Sequence, residues 1–338
     1  MSDLSMTAIA AFATSLISVA HLEIRHGYHA LVGELRENDS LNSRIEREGL
    51  PAVLAGSDPA ITALQKTNKE FVTTAEKSAE LLLRDQIRQR FPSHTLTGEE
   101  LPAQAGEAAW IWSIDPVDGT SAMVRAAIAA AYGLTLPTPK PSFGVSIALL
   151  HDDAAVFGVI AELLPRADTL SLGHVWAGGV DVAPTCDGRP VSLAAVRSLG
   201  ESVLACTVPE IMFCTADRWG GFQALADATA ALVTDQNCIG YMGLLDGSVD
   251  IACERDLLLP DAAAIVPILQ SAGVVVTDHD GRTVAFDATA RDGEYLLMAA
   301  QSELHHQAIA VHQRGVPQRH NRFHEAGPAK LGYVRKVN

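Results

Sequence analysis

A chain of 338 residues, 48% hydrophobic and 19% charged, carries enough apolar material for one large α/β body or two lobes sharing an interface, which excludes a disordered chain. Its net charge of −15 argues against a basic nucleic-acid surface, and any phosphate it handles needs bridging cations. The five cysteines are scattered with no C-x-x-C pair, which predicts reduced thiols and a cytoplasmic setting.

The apolar stretch 7–20 follows Asp3 without Lys or Arg, so residues 1–35 read as amphipathic helix and not as a signal peptide. No apolar run is expected to approach the ~18–20 residues of a membrane span. Residues 36–58 are polar and loop-like. A firmer helix is expected after Thr73-Thr74, with Ala79, Leu83, Ile87 and Phe91 at i, i+4 spacing and Pro92 as its stop. Residues 110–114 predict a buried strand running into Asp115-Pro116-Val117-Asp118-Gly119, and 143–150 with 156–163 predict a hairpin turning at His151-Asp152-Asp153. Beyond these come a strand at 203–208, a helix at 216–233, a strand at 249–253, a helix at 261–272 stopped by Gly273, and a strand at 274–277. After Gln301 the chain turns basic and gains histidines at 305, 306, 312, 320 and 324, which reads as a solvated terminus or as a metal- or partner-binding tail. The expected divisions are a helical leader 1–64, an α+β lobe 65–195, an α/β lobe 196–300 and the tail 301–338.

Three acidic segments carry the chemistry: Gly98-Glu99-Glu100, Asp115-Pro116-Val117-Asp118-Gly119-Thr120, and Pro260-Asp261. Singly, each has an ordinary reading as a surface pair, a turn, or a favourable partner of a helix dipole. Together they set carboxylates at strand ends and helix starts, where side chains converge and a hard divalent cation finds the oxygens it needs. Asp115 and Asp118 suit two neighbouring ions, Gly119 lets backbone approach a ligand, and the N–H groups of Gly119 and Thr120 suit phosphate oxygens at a helix start.

In order and separation these segments, with Trp112-Ser113-Ile114 leading into Asp115, resemble the signatures of the inositol monophosphatase family over about residues 65–300, closest in pattern to its histidinol-phosphate phosphatase branch. The resemblance implies an α/β (α+β) fold, a layered αβαβα sandwich of the inositol monophosphatase and fructose-1,6-bisphosphatase type. It implies a phosphomonoesterase with roughly two or three Mg²⁺ ions ligated by Glu99, Asp115, Asp118, the Val117 carbonyl and Asp261. It further implies direct in-line attack by a metal-activated water, with Thr120, Glu76 and Glu99 catalytic and with Gly119, Thr120 and Glu254 against the substrate. A homodimer acting on a small-molecule phosphate ester, with no nucleic-acid or membrane partner, completes what the resemblance implies.

The chain departs from that pattern in places. Glu76 stands where the family usually has Asp; it either serves Thr120 in catalysis or, three residues after Thr73, completes a capping box. Residues 207–213, 244–250 and 260–268 carry the likeness to the histidinol-phosphate branch, in which the acidic residue at position 254 reaches the leaving group; otherwise Glu254 is a strand-end residue facing solvent. The branch's glycine-rich stretch reads here as Asp235-Gln236-Asn237-Cys238-Ile239-Gly240-Tyr241, and an extra segment 126–142 with Pro137, Pro139 and Pro141 forms a lid or an external loop. The expected substrate is histidinol phosphate or a related aminated or polyol phosphate. Inositol, sugar or cyclitol phosphates stay open, as do a bisphosphate, for which Arg125, Lys140 and Arg255 offer charge, and a catalytically impaired binding protein.

Overall fold

The computed structural model describes residues 5–37, 59–107, 109–136, 140, 142–287 and 295–316, with side chains throughout except at 59–73 and 217. A seven-stranded sheet runs in sequence order through β1 (Thr95–Gly98), β2 (Trp110–Asp118), β3 (Gly144–His151), β4 (Ala154–Arg166), β5 (Thr169–Gly179), β6 (Val182–Cys186) and β7 (Arg189–Pro190). Only β1 and β2 pair in parallel there; the rest form an antiparallel meander. A five-stranded mixed sheet has the order β11-β12-β10-β8-β9, built from β8 (Val203–Ala205), β9 (Ala231–Val233), β10 (Ile251–Leu257), β11 (Val275–Thr277) and β12 (Tyr295–Ala300).

Helices fill three layers around the sheets. α1 (Met6–Glu37), α2 (Pro59–Arg90) and α3 (Thr120–Tyr132) lie on the outer face of the first sheet. A middle layer of α6 (Asn237–Asp246), α7 (Leu259–Ala262) and α8 (Ile265–Ser271) separates the sheets, while the short α4 (Pro209–Met212), α5 (Ala216–Ala228) and α9 (Ser302–Gly315) flank the second. Three apolar cores occupy the helix–sheet junctions, so the αβαβα sandwich expected from the sequence is the fold the chain adopts. A strand covered on both faces reads as a continuous apolar run, which is why all of β3 except His151 is buried.

The sequence reading and the structure part company at several elements. α1 is long and apolar enough, by length and composition, to cross a membrane, contrary to the expectation that no run approaches that length. It is nevertheless a core helix, with Leu16, Ile17, Ile24, Tyr28 and Leu31 buried against α2, α3 and β5. α2 begins at Pro59 and not after Thr74, although Ala79, Leu83, Ile87 and Phe91 are buried on one face as the spacing predicts. The predicted helix 216–233 ends at Ala228, and Ala231–Val233 is strand β9, paired with β8. The helix 261–272 is broken into α7 and α8, and strands β1, β5, β6, β7 and β12 were not foreseen. The polar loop 38–58 lies outside the described residues.

The basic tail starts as an ordered helix. Leu304, His305, Ala308 and His312 of α9 recur on one face and are buried against α5, β10 and β12. Burial keeps the imidazoles uncharged, pushing His279 down to about 3 and His312 down to about 4. Residues 317–338, with His320 and His324, lie outside the described residues.

Candidate active site

The local backbone brings the acidic segments together. Residues three apart on a regular strand face opposite sides of the sheet, so Asp115 and Asp118 would diverge. In β2, however, Asp115 pairs with Ser146 and Asp118 with Gly144, which places one extra residue on the β2 side. This bulge at Pro116-Val117 returns both carboxylates to one side. Glu99 follows β1 and is set beside Asp115 by its N–H, which donates to the Ile114 carbonyl at 3.2 Å. Asp261 enters from α7, where its Oδ2 accepts the Leu258 N–H at 2.9 Å.

Glu99, Asp115 and Asp261 each present a carboxylate oxygen within 4.8 Å of the others. Asp118 stands outside that trio, with Oδ2 accepting the Cys238 N–H at 2.5 Å. The Val117 carbonyl accepts the Thr120 hydroxyl at 3.3 Å. Asp115 is wholly buried; its Oδ1 accepts the Val117 N–H at 2.9 Å, and among the described residues its Oδ2 has no hydrogen-bond partner. A buried acceptor without a donor, facing further carboxylates, suits a divalent cation, and hard oxygen donors of this kind fit Mg²⁺.

Electrostatics agree. Burial raises Asp115 well above the ordinary carboxylate range, and the charges of Glu99, Asp118 and Asp261 raise it further. Burial, then the charge of Asp261, lifts Glu99 to about 7 and Asp118 to about 8, while burial lifts Asp261 to about 6. Burial likewise raises Glu76 to about 8 and Glu254 to about 7. Without cations, the folded protein therefore holds protons that the unfolded chain, with carboxylates near 4, releases. Stability from these groups is full below about pH 4 and is lost as pH rises through about 8. The buried imidazoles act oppositely below about pH 6.5, so the carboxylate effect is cleanest above that value. The melting temperature of chelator-treated protein is expected to fall between about pH 6.5 and 8, and Mg²⁺ to reverse the fall. A flat or rising profile in thermal scans without Mg²⁺ would count against the cluster.

Thr120 opens α3, and its hydroxyl donates to Glu76 Oε1 at 2.7 Å. Glu76 is 2% exposed in the middle of α2, so Thr73 lies inside the helix and the capping-box reading fails. α3 has no side-chain cap, and its first amides are left for an anion. Its N-cap, Gly119, has φ of 101°, and a Cβ there would meet Asn237 Nδ2 at 2.5 Å, so glycine is required twice over.

The sequence reading missed two residues that position Glu99. Glu80 and Arg84, four apart on α2, form a buried ion pair with 2.5 Å between Oε1 and Nη2. Glu80 Oε2 accepts the Glu100 N–H at 2.8 Å, while Arg84 donates to the carbonyls of Pro102 at 2.8 Å and Leu101 at 3.0 Å. The pair thus grips the loop directly after Glu99, and a Cβ at Gly98 would collide with the Glu80 carboxylate. The i, i+4 spacing with opposite charge was the available signal.

Glu254 does not face solvent. It is 4% exposed on β10, and its Oε1 accepts the Thr207 N–H at 2.6 Å and the Thr207 hydroxyl at 2.5 Å. The segment 126–142 divides: Ala126, Ala127 and Ile128 belong to the buried face of α3, so the first half is core helix and not lid. Pro137, Pro139 and Pro141 lie outside the described residues. The far end is clasped by the altered 235–237 stretch, with Asn237 Nδ2 donating to the Ser142 carbonyl at 2.6 Å and Gln236 Nε2 to that of Lys140 at 3.0 Å. The two departures from the branch pattern thus meet in the structure. Of the cations considered for a second phosphate, Arg125 pairs with Asp235 at 2.5 Å and Arg255 with Asp256 at 3.1 Å, leaving Lys140 exposed.

The sequence matches the model of the inositol monophosphatase family over residues 9–317. It is similar to the chloroplastic bifunctional phosphatase IMPL2 of Arabidopsis thaliana, 27% identical over 73% of this chain and 66% of the plant protein, just under two thirds of that relative's length. It is equally similar to the histidinol-phosphatase of Chlorobaculum parvum, 27% identical over 71% of this chain and 83% of the relative. An inositol monophosphatase from Zymomonas mobilis shares the fold with a TM-score of 0.64 at 22% identity, covering 92% of this chain and 99% of that one. Shared motif order, shared architecture and a match spanning nearly the whole chain lead to one conclusion: the chain belongs to the inositol monophosphatase family and is a phosphomonoesterase.

Proposed function

We propose that the protein is a Mg²⁺-dependent phosphatase of a small, polar, aminated or polyol phosphate, with histidinol phosphate as the preferred candidate. The observation that carries the reading is the trio Glu99, Asp115 and Asp261 beside the Thr120–Glu76 pair at an uncapped helix start. Glu99, Asp115, Asp118, Asp261 and the Val117 carbonyl are the groups that would hold the cations. When bound, Mg²⁺ supplies charge neutralisation for the phosphoryl group and acidifies the attacking water.

The chain's own residues supply the rest. The amides of Gly119 and Thr120 orient phosphate oxygens at the start of α3. The attacking water gives a proton to the Thr120 hydroxyl as that hydroxyl gives its own to an ionised Glu76 carboxylate; cations bound nearby would draw this carboxyl down from the value of about 8 to which burial raises it in their absence. Here Glu76 does the work of the shorter Asp usual in the family. Glu254, close enough to Asp118 and Asp261 to feel their charge, offers a carboxylate to an ammonium or hydroxyl of the leaving alcohol. The histidinol-phosphatase similarity supports an amine-bearing substrate.

A phosphate-release panel with Mg²⁺, covering histidinol phosphate, inositol phosphates, sugar phosphates and nucleotide bisphosphates, tests the reading. Histidinol phosphate is expected to lead, and preference for a bisphosphate would overturn the substrate choice. In the same assay Glu76→Asp, which withdraws the carboxylate from Thr120 by one methylene, is expected to lower kcat about tenfold, less than the roughly 10²–10⁴ a general base contributes because the group is displaced and not removed. A gain in kcat would instead show that Glu76 impairs the site.

A further inference from the structure

A second group of ligand-type side chains differs in chemistry from the carboxylates. Cys253 on β10, His279 just after β11 and His312 on α9 are all buried, and a ligand atom of each lies within 4.8 Å of the other two. His312 is only 6% exposed, yet among the described residues neither ring nitrogen has a hydrogen-bond partner. Buried polar groups are nearly always satisfied, so an imidazole with both nitrogens idle marks a missing partner. Cys253 Sγ lies 3.7 Å from His279 Nε2. Ordinary Zn–S and Zn–N bonds in tetrahedral geometry hold such atoms roughly 3.6 Å apart.

The surroundings suit a held ion. His279 Nε2 is 2.9 Å from the Glu254 carbonyl, and its ring has a further backbone hydrogen-bond partner in Leu297. When Nε2 turns to an ion, the ring keeps a backbone carbonyl for its other N–H, as metal-bound imidazoles usually do. Phe213 stacks on His279 with centroids 5.9 Å apart and shields it. The charge of Arg255 lies nearby but is paired with Asp256 at 3.1 Å.

We propose that Cys253, His279 and His312 form a structural zinc site that ties the C-terminal helix α9 to strand β10, one residue from Glu254. A thiolate and two imidazoles favour Zn²⁺ over the hard Mg²⁺. On binding, the Cys253 S–H bond breaks, an S–Zn bond forms and the proton leaves to solvent, with no change of oxidation state. Among the described residues no fourth side chain joins the group, so water or the Glu254 carbonyl completes the coordination.

The test titrates full-length, metal-stripped protein with Co²⁺ as a spectroscopic substitute for zinc, under saturating Mg²⁺ so that the carboxylate site is already filled. The expected result is about one equivalent of cobalt giving a thiolate-to-cobalt charge-transfer absorption, displaced by Zn²⁺. Cys253→Ser should abolish the absorption, and His312→Phe, which keeps a ring in the packing, should weaken cobalt binding at least roughly a hundredfold. Circular dichroism reports whether each variant folds; should one not fold, the wild-type titration decides. Absence of the thiolate band in wild type, or its persistence in a folded Cys253→Ser protein, overturns the proposal. Neither readout uses phosphate release, so the result stands apart from the phosphatase assignment.

Discussion

Asp115→Asn is expected to lower Mg²⁺-dependent phosphate release on the order of 10³-fold, the scale of losing one well-placed electrostatic group in an active site. The same change is expected to stabilise the metal-free protein by roughly 1 kcal/mol. The substitution is nearly isosteric, and asparagine keeps an oxygen for the Val117 N–H that Oδ1 now accepts at 2.9 Å. What changes is Oδ2, buried and, among the described residues, without a donor, on a carboxylate that meets those of Glu99 and Asp261. An amide there donates to those carboxylates and cannot ionise, so it removes the cost of keeping protonated a carboxyl that burial, then the charge of Glu99, raises well above its ordinary range. Opposed shifts in activity and in denaturant midpoint separate a functional carboxylate from a structural one. Retained activity would remove Asp115 from the site, and a lowered midpoint would make it a fold determinant.

Arg84→Met is expected to have the largest effect on stability, a loss of about 3–5 kcal/mol by chemical denaturation, because it leaves Glu80 buried and uncompensated. Arg84 is 4% exposed at its side chain and Glu80 is 0% exposed, so water cannot replace the lost partner. The double change Glu80→Leu with Arg84→Met should cost less than the single one, since no unpaired charge remains. Both proteins should need about tenfold more Mg²⁺ for half-maximal activity, as the loop after Glu99 loses its backbone anchors. An Arg84→Met protein with wild-type stability would show that the ion pair is solvated in solution.

The acidic motifs were legible because they depend on residue type and order, and Glu99, Asp115, Asp118 and Asp261 were named from those alone. The bulge that turns Asp115 and Asp118 to one side was not, because it is defined by pairing with Ser146 and Gly144 on another strand. The start of α2 was misplaced because Val72-Thr73-Thr74 reads as a β-branched interruption with a cap, whereas tertiary packing carries the helix through it. Pro59 in the first turn was the correct signal and was passed over. That error made capping a rival role for Glu76, whereas the Glu80–Arg84 pair lay inside the expected helix and escaped notice because its hold on the loop after Glu99 is a tertiary contact. The tail was read by its charge, which concealed the helical spacing of Leu304, Ala308 and His312. β9 was missed because Ala231-Leu232-Val233 continues an alanine-rich helical stretch, and only its pairing with β8 makes it a strand.

Helix α1 has a consequence for how the chain is made. It is translated well ahead of β5, one of the elements it packs on, whose last residue, Gly179, follows the helix end at Glu37 by 142 residues. At ordinary rates of synthesis an apolar helix, by composition long enough to span a bilayer, waits on the order of 10 s for β5, the part of its cover that is made after α2 and α3. During that interval the nascent chain offers a greasy segment to chaperones and to the machinery that sorts proteins to membranes. Expression yield should therefore respond to anything that slows the ribosome between the two elements.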